Sequence, residues 1–292
     1  EGNGTIASGS NSHTEGGNTK ALGINSHAEG YVTTSSGSYS HAEGRNTTAS
    51  GGSSHTEGTG TTASGNNSHA EGNGSTASGT ASHASNHFTT ASVHSSTAIG
   101  RFNKTMLGDA NTISNDANDA FVIGNGTNTS TLGNAFRVDF AGATYGLSAF
   151  NSTGADYAEY FEWLDENADN EERLGYVVTM DGDKIRKATK SDGYILGITS
   201  SNPSVIGDSY QDDWKGKYLL DEWERIQYHW VDVEYSEEVL IEDENGTHTK
   251  IVKSTIKERH PIYNPNWSRE DEYIPREQRK EWSAVGLIGK LL

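Results

Sequence analysis

The sequence predicts a mainly β protein, a β-solenoid of fourteen-residue coils followed by a smaller α+β domain. Three observations predict it. Histidine recurs at His13, His27, His41, His55, His69 and His83 on a strict fourteen-residue ruler. The same stretch is rich in Gly, Ser and Thr, residues that disfavour helix interiors. The composition then changes near residues 140–156: residues 1–155 carry ten acidic and five basic side chains with no Trp or Pro, whereas 156–292 hold all six Trp and all four Pro. The two halves obey different physics.

Each period holds two short alternating segments. In the first, Ser precedes each His and Glu follows two places later, at Glu15, Glu29, Glu43, Glu57 and Glu71, before Ser85 breaks the column. The second, half a period away, runs through Ala7, Ala21, Ser35, Ala49, Ala63, Ala77 and Ala91, closed by glycines such as Gly37 and Gly51. A flexible Gly/Ser linker has no reason to keep such a register over six turns. Side chains alternate along a strand, so in Ser40-His41-Ala42-Glu43-Gly44 the Ser, Ala and Gly share one face and His and Glu the other. A two-strand coil of this length has room inside only for small residues, which turns Ala42 and its equivalents inward and the His and Glu ladders outward. Coils stacked at the strand spacing of about 4.8 Å set each ladder upright.

Three uses of the ladder are open: hydrogen-bonded polar columns at an interface between chains, transition-metal ligation by imidazole, and plain solvent exposure. The interface is the expectation, with no metal and no cofactor. A histidine column also predicts pH-dependent assembly. A column of Thr5, Thr19, Thr33, Thr47, Thr61, Ser75 and Thr89 either reflects the preference of threonine for strands or offers a polar ladder to ice or glycans. At Ser96-Thr97-Ala98-Ile99-Gly100 the ruler continues with Ile99 in the glutamate column, and Asp119-Ala120-Phe121-Val122-Ile123-Gly124 is more apolar still. An outward face that turns apolar predicts contact with another chain.

These motifs resemble the head repeats of trimeric autotransporter adhesins and related phage tail fibres, over roughly residues 1–135. The resemblance implies a left-handed parallel β-roll, three of which pack about a threefold axis as a homotrimer. His13 to His83 and their glutamates would then line the trimer interface.

The net charge of −18 argues against a nucleic-acid partner. The absence of cysteine removes disulfides and thiolate chemistry, and no apolar run is long enough to span a membrane. No signal peptide opens the chain; the repeat is already under way at Glu1, which suggests a fragment of a longer protein. The expected domains are a β-roll over 1–133, a neck and junction over 134–155 with a strand at Phe136, Val138 and Phe140, and a compact aromatic-rich domain over 156–292. In the last, hairpins are expected about Asp181-Gly182-Asp183 and Glu244-Asn245-Gly246, a strand over 194–199, a helix over 218–227 and a buried strand from Trp282 to Leu292.

The junction Asn151-Ser152-Thr153-Gly154-Ala155-Asp156-Tyr157-Ala158-Glu159-Tyr160-Phe161 runs from small residues into an acidic-aromatic segment. With Gly175-Tyr176-Val177-Val178-Thr179-Met180, Asn202-Pro203-Ser204-Val205-Ile206-Gly207 and Tyr263-Asn264-Pro265, it resembles the self-cleaving intramolecular chaperone domain at the ends of Bacillus phage neck-appendage and tail-spike proteins, classed among glutamic-type peptidases (the Peptidase G2 family). The resemblance implies assembly of a trimer, folding of the fibre, then removal of the chaperone by cleavage at its own amino-terminal junction. It makes Ala155-Asp156 the candidate scissile bond, Glu159 the candidate general acid/base and Asp156 its assistant. In an extended strand Asp156 and Glu159 face opposite sides, so a turn, a helix or a trimer partner has to reunite them. Related fibres often carry Ser before the Asp; a serine nucleophile at that place would leave this chain, with Ala155, inactive. Asp208, His229 and His260 are secondary candidates.

The expected function is therefore a virion tail-fibre or appendage segment, made in the bacterial cytoplasm, whose chaperone trimerises and then releases itself, the mature fibre meeting a host-surface glycan or receptor. The alternatives are a surface adhesin or glycan-binding fibre without peptidase activity, and a glycan-cleaving spike.

Overall fold

The computed structural model describes residues 2–111, 116–209, 216–223, 225–243, 246–268, 270 and 273–289, and the chain divides into two compact units, Glu1–Phe150 and Asn151–Leu292. In the first, short parallel strands stack with a fourteen-residue register, His27 opposite His41 on one sheet and Thr48 opposite Thr62 on the other. The first sheet has eleven strands and the second seven. The alternation reads through to the packing. Ala28, Ala42, Ala70 and Ala84 on one side, and Ala49, Ala63, Ala77 and Ala91 on the other, are fully buried. The serines ahead of the histidines brace the turns. Ser26, Ser40, Ser54 and Ser68 donate to the carbonyls of Gly23, Gly37, Gly51 and Gly65, three residues back, at 2.6–2.7 Å. These bonds satisfy turn carbonyls that would otherwise be buried unpaired.

Two kinds of glycine column make the close stack possible. A Cβ on Gly37 would stand 2.0 Å from the carbonyl oxygen of Gly51 in the next coil. At Gly44 the backbone is left-handed as well, φ +97°, and a Cβ would meet Gly58 O at 2.2 Å, so two separate constraints demand glycine there.

The threonine column is not a surface. Thr19, Thr33, Thr47, Thr61, Ser75 and Thr89 are all buried at 0 % exposure, because they lie two residues before the inward alanines and share their face. Thr61 and Thr89 donate to the carbonyls of Glu57 and Ser85 at 3.0 and 2.9 Å. An ice- or glycan-binding role for this column fails with that orientation.

Past Arg101 the period breaks, yet the sheet continues. Thr97–Arg101 pairs in parallel with Asp119–Asn125, which pairs antiparallel with Asn134–Asp139, and that strand in turn with Thr144–Gly146. Residues 134–146, expected as a neck, therefore extend the solenoid sheet. The histidine column runs on through Thr97, Phe121 and Val138, and the glutamate column through Ile99, Ile123 and Phe136. Asp119, 1 % exposed, anchors the end through Arg137 Nη1 at 2.7 Å and the Leu107 N–H at 2.7 Å.

Among the described residues the second unit is a β domain rather than α+β, its one helical turn being Arg276–Gln278. A six-stranded sheet runs in the order Lys184–Lys187, Val177–Asp181, Gly197–Thr199, Trp282–Gly289, Asp156–Glu162, Val205–Gly207. Its core is Trp163, Val178, Ile185 and Val285, with the Trp163 indole N–H donating to Ser283 Oγ at 2.8 Å. The Asp181-Gly182-Asp183 hairpin forms as expected, with Gly182 at φ +67°. Tyr228–Asp243 and Gly246–Pro261 make the second hairpin; Glu244 and Asn245 of its expected turn lie outside the described residues, as do 290–292 of the last strand. The helix expected over 218–227 does not form among the described residues. Asp221 instead accepts from the backbone N–H groups of Trp223 and Arg225 at 2.8 and 3.0 Å, and Leu220 bridges Ile226. A short polar side chain has captured backbone donors that a helix would use.

Candidate cleavage junction and ladder

Asp156 opens a strand held on both edges. It pairs antiparallel with Trp282–Gly289, placing Asp156 opposite Gly289, and in parallel with Val205–Gly207, placing Glu159 opposite Gly207. The bond Ala155-Asp156 thus sits where a run of small residues enters the interior of a sheet. Ser204 clamps it from one side: its N–H donates to Asp156 O at 2.7 Å, and its hydroxyl donates to Gly154 O. Two glycines give the clamp its space. A Cβ on Gly154 would lie 2.4 Å from the Pro203 carbonyl carbon, and one on Gly289 would lie 2.6 Å from Ala155 O.

The two carboxylates take opposite faces, as the strand period requires. Asp156 is 4 % exposed, and its Oδ2 is buried without a hydrogen-bond partner. That is an unusual state for a carboxyl oxygen, because burial without a partner is costly. Glu159 lies half-buried on the other face, fixed by the Tyr157 hydroxyl, which donates to Glu159 Oε1 at 2.6 Å. That bond raises the Tyr157 pKa. Gly207 makes room for the pair, since a Cβ there would fall 2.9 Å from both Glu159 Cγ and Tyr157 Oη. Asp156 and Glu159 are therefore not brought together by this strand.

Of the secondary candidates, Asp208 pairs with the buried Arg276, and His260 Nε2 meets Glu258 Oε2 at 2.9 Å. His229 stands exposed opposite His260. Ser204, Tyr157, Gly207 and Gly289 were not singled out as site residues from the sequence. A cleft of about 250 Å³ lies elsewhere on the unit, over Trp163, Arg173 and Tyr176. The Arg173 charge there is taken up by Asp165 and Glu171 at 2.7 and 3.2 Å, and the arginine holds the Asp165 carboxyl down to about 2.

On the first unit the histidine rings stack at centroid separations of 4.7–4.9 Å. Each of four histidines faces the glutamate of the preceding coil: His41 with Glu29 at 3.4 Å, His55 with Glu43 at 3.7 Å, His69 with Glu57 at 3.8 Å and His83 with Glu71 at 3.5 Å. These are longer than hydrogen bonds, so within one chain each of these histidines stands near a glutamate without bonding to it. Burial, then the neighbouring imidazoles, lower the pKa values of His55 and His69, and the same causes act at His27. Glu57 is raised by its shared hydrogen bond with Glu71.

Residues 104–292 match Peptidase_G2, the IMC (intramolecular chaperone) autoproteolytic cleavage domain. The chain belongs to this family. Among relatives of the Peptidase_G2 chain, the preneck appendage protein of Bacillus phage PZA is 37 % identical over 140 residues, covering 48 % of this chain and 14 % of that protein. The pre-neck appendage protein of Bacillus phage B103 is 33 % identical over 141 residues, with the same coverage. The chain thus spans about a seventh of the length of these relatives. The crystal structure of the pre-mature bacteriophage phi29 gene product 12 matches 99 % of this chain and 33 % of its own, at 22 % identity and a TM-score of 0.51, a likeness of fold. Phage neck appendages are virion components, and among the described residues no helix is long and apolar enough to cross a membrane.

Proposed function

We propose that this Peptidase_G2 chain is a segment of a phage appendage whose carboxy-terminal unit guides folding and assembly of the β-solenoid as a homotrimer, then cuts the chain at Ala155-Asp156. The observation that carries the reading is the clamped junction, with the Asp156 carboxyl buried beside the bond and Ser204 gripping the backbone on both sides of it. A peptide held extended and immobile satisfies the positional requirement for attack on its carbonyl.

In the reaction, Glu159 acts as general base on water, whose oxygen adds to the Ala155 carbonyl carbon. The protonated Glu159 returns its proton to the Asp156 nitrogen as the C–N bond breaks, leaving a carboxylic acid on Ala155 and an amine on Asp156; the acid then ionises and the amine takes up the released proton. Asp156 assists from beside the bond, and Ser204 is a positioning residue. This is glutamic-type catalysis, and Ala155 is no obstacle to it. Because Asp156 and Glu159 leave their strand on opposite faces, Glu159 is supplied by a neighbouring copy, so cleavage waits for assembly. The apolar continuation of the ladder supports assembly through that face: Phe121, Ile123, Phe136 and Val138 are half-buried in the single chain and follow the histidine and glutamate columns in register. The mature fibre then meets a host-surface glycan or receptor.

Intact mass of freshly purified, denatured protein tests the reading. Fragments corresponding to 1–155 and 156–292 are expected, and Glu159→Gln should leave the chain whole. Cleavage that persists in Glu159→Gln sinks the glutamic mechanism. When tagged Glu159→Gln chains are co-expressed with untagged wild type, cutting of the tagged chain is expected; its absence removes the neighbour's role.

A further inference from the structure

The histidine–glutamate ladder contains groups whose geometry goes beyond an interface. Within it, ligand atoms of His27, Glu29 and His41 all lie within 4.8 Å of one another. The Nε2 atoms of His27 and His41 are buried and have no hydrogen-bond partner. The His41 Nε2–Glu29 Oε1 separation, 3.4 Å, is the shortest of the four cross-coil pairs. It is too long for a hydrogen bond. It is the separation of two ligands on one tetrahedral ion, since bonds of about 2.0–2.1 Å put neighbouring ligands roughly 3.4 Å apart.

We propose that His27, Glu29 and His41 form a binding site for a divalent transition-metal ion such as zinc, bridging two successive coils of one chain. Two imidazole nitrogens and a carboxylate oxygen make a donor set suited to zinc, with the fourth position left to water. The backbone of the site is preorganised, because parallel pairing of His27 with His41 fixes the coil-to-coil spacing. The two rings stack 4.7 Å apart and 2° from parallel, so their Nε2 lone pairs run side by side, and one imidazole has to rotate out of the stack for both to reach a single ion. The ion also answers the electrostatics of the column, because carboxylates repeating at the strand spacing repel one another and a dication between coils offsets that repulsion. A second cluster, Glu57, His69 and Glu71, has one nitrogen donor in place of two and suits zinc less well than the first.

The experiment uses the full chain, stripped with a chelator and dialysed, then titrated with zinc chloride by calorimetry at neutral pH. Saturable binding is expected, with the tightest site weakened at least about tenfold in Glu29→Gln and in His41→Gln, and unchanged in His94→Gln, a histidine outside the ladder. Glu29→Gln is isosteric and leaves the imidazole stack intact. No saturable uptake, or equal uptake by wild type and both variants, overturns the proposal. If either variant fails to fold, cobalt(II) added to the wild type decides: intense visible d–d bands of a low-coordinate, imidazole-bound ion support the site, and the weak spectrum of the hydrated ion overturns it.

Discussion

Gly51 shows how little freedom the solenoid leaves a single residue. A Cβ there would stand 2.0 Å from the Gly65 carbonyl oxygen, a backbone atom that cannot move without breaking the stack. Gly51→Ala is expected to destabilise the first unit by more than about 2 kcal/mol, measured by urea unfolding. Gly193→Ala, where a Cβ meets nothing within 4 Å, should stay within about 0.5 kcal/mol. The histidines set a pH dependence. Burial lowers His27, His55 and His69 below the ordinary imidazole value of 6.5, so the unfolded chain binds protons more readily than the folded one. Their full stability is present above about pH 6.5 and is lost as the pH falls through the folded values. Melting in chelator-containing buffer should therefore shift down between about pH 8 and about pH 5, opposed in part by Glu29, Glu43, Glu57 and Glu71 on the same face. A flat profile would dispose of this.

At the scale of elements, the coil was legible because its period is a global constraint: once Ala42 faces in, the positions of His41 and Glu43 follow. The same alternation places Thr47 inside with Ala49, which agrees with the plain preference of threonine for strands and leaves no room for a polar surface ladder. The helix over 218–227 misled because ten residues of mixed polarity fit a helical period loosely, while the side chain of Asp221 decides for a turn. At the junction, the sequence pointed to Ala155, Asp156 and Glu159 through resemblance. It did not disclose Ser204 or Gly289, because strands forty-eight or more residues apart are brought beside the bond by pairing that no local pattern encodes. Ser204→Ala removes the grip on Gly154 O and should slow cleavage by about tenfold or more. Time-resolved intact mass measures it, and an unchanged rate would make Ser204 a bystander.

For the whole molecule, the proposed order of assembly before cleavage gives an asymmetric prediction. Parallel pairing between coils is non-local and slow to form, so a solenoid separated from its carboxy-terminal unit is expected to persist by a high unfolding barrier rather than by ready refolding. After denaturant is diluted, uncut Glu159→Gln chains should recover their β-sheet circular dichroism, and isolated cleaved fibre should not. Equal recovery would remove the chaperone from the account.

The glycine columns carry a consequence for how such a protein changes over generations. Because each glycine abuts the carbonyl of its counterpart fourteen residues on, a change of whole coils keeps every contact between neighbouring coils. Any other length has to be absorbed outside the paired strands, as the longer step from Thr97 to Phe121 is at the end of the stack, where Gly100 still meets Gly124. Within the repeats, length is therefore quantised. A whole coil added there would lengthen the stack by about 4.8 Å and leave the glycine-to-carbonyl contacts of every other coil as they were.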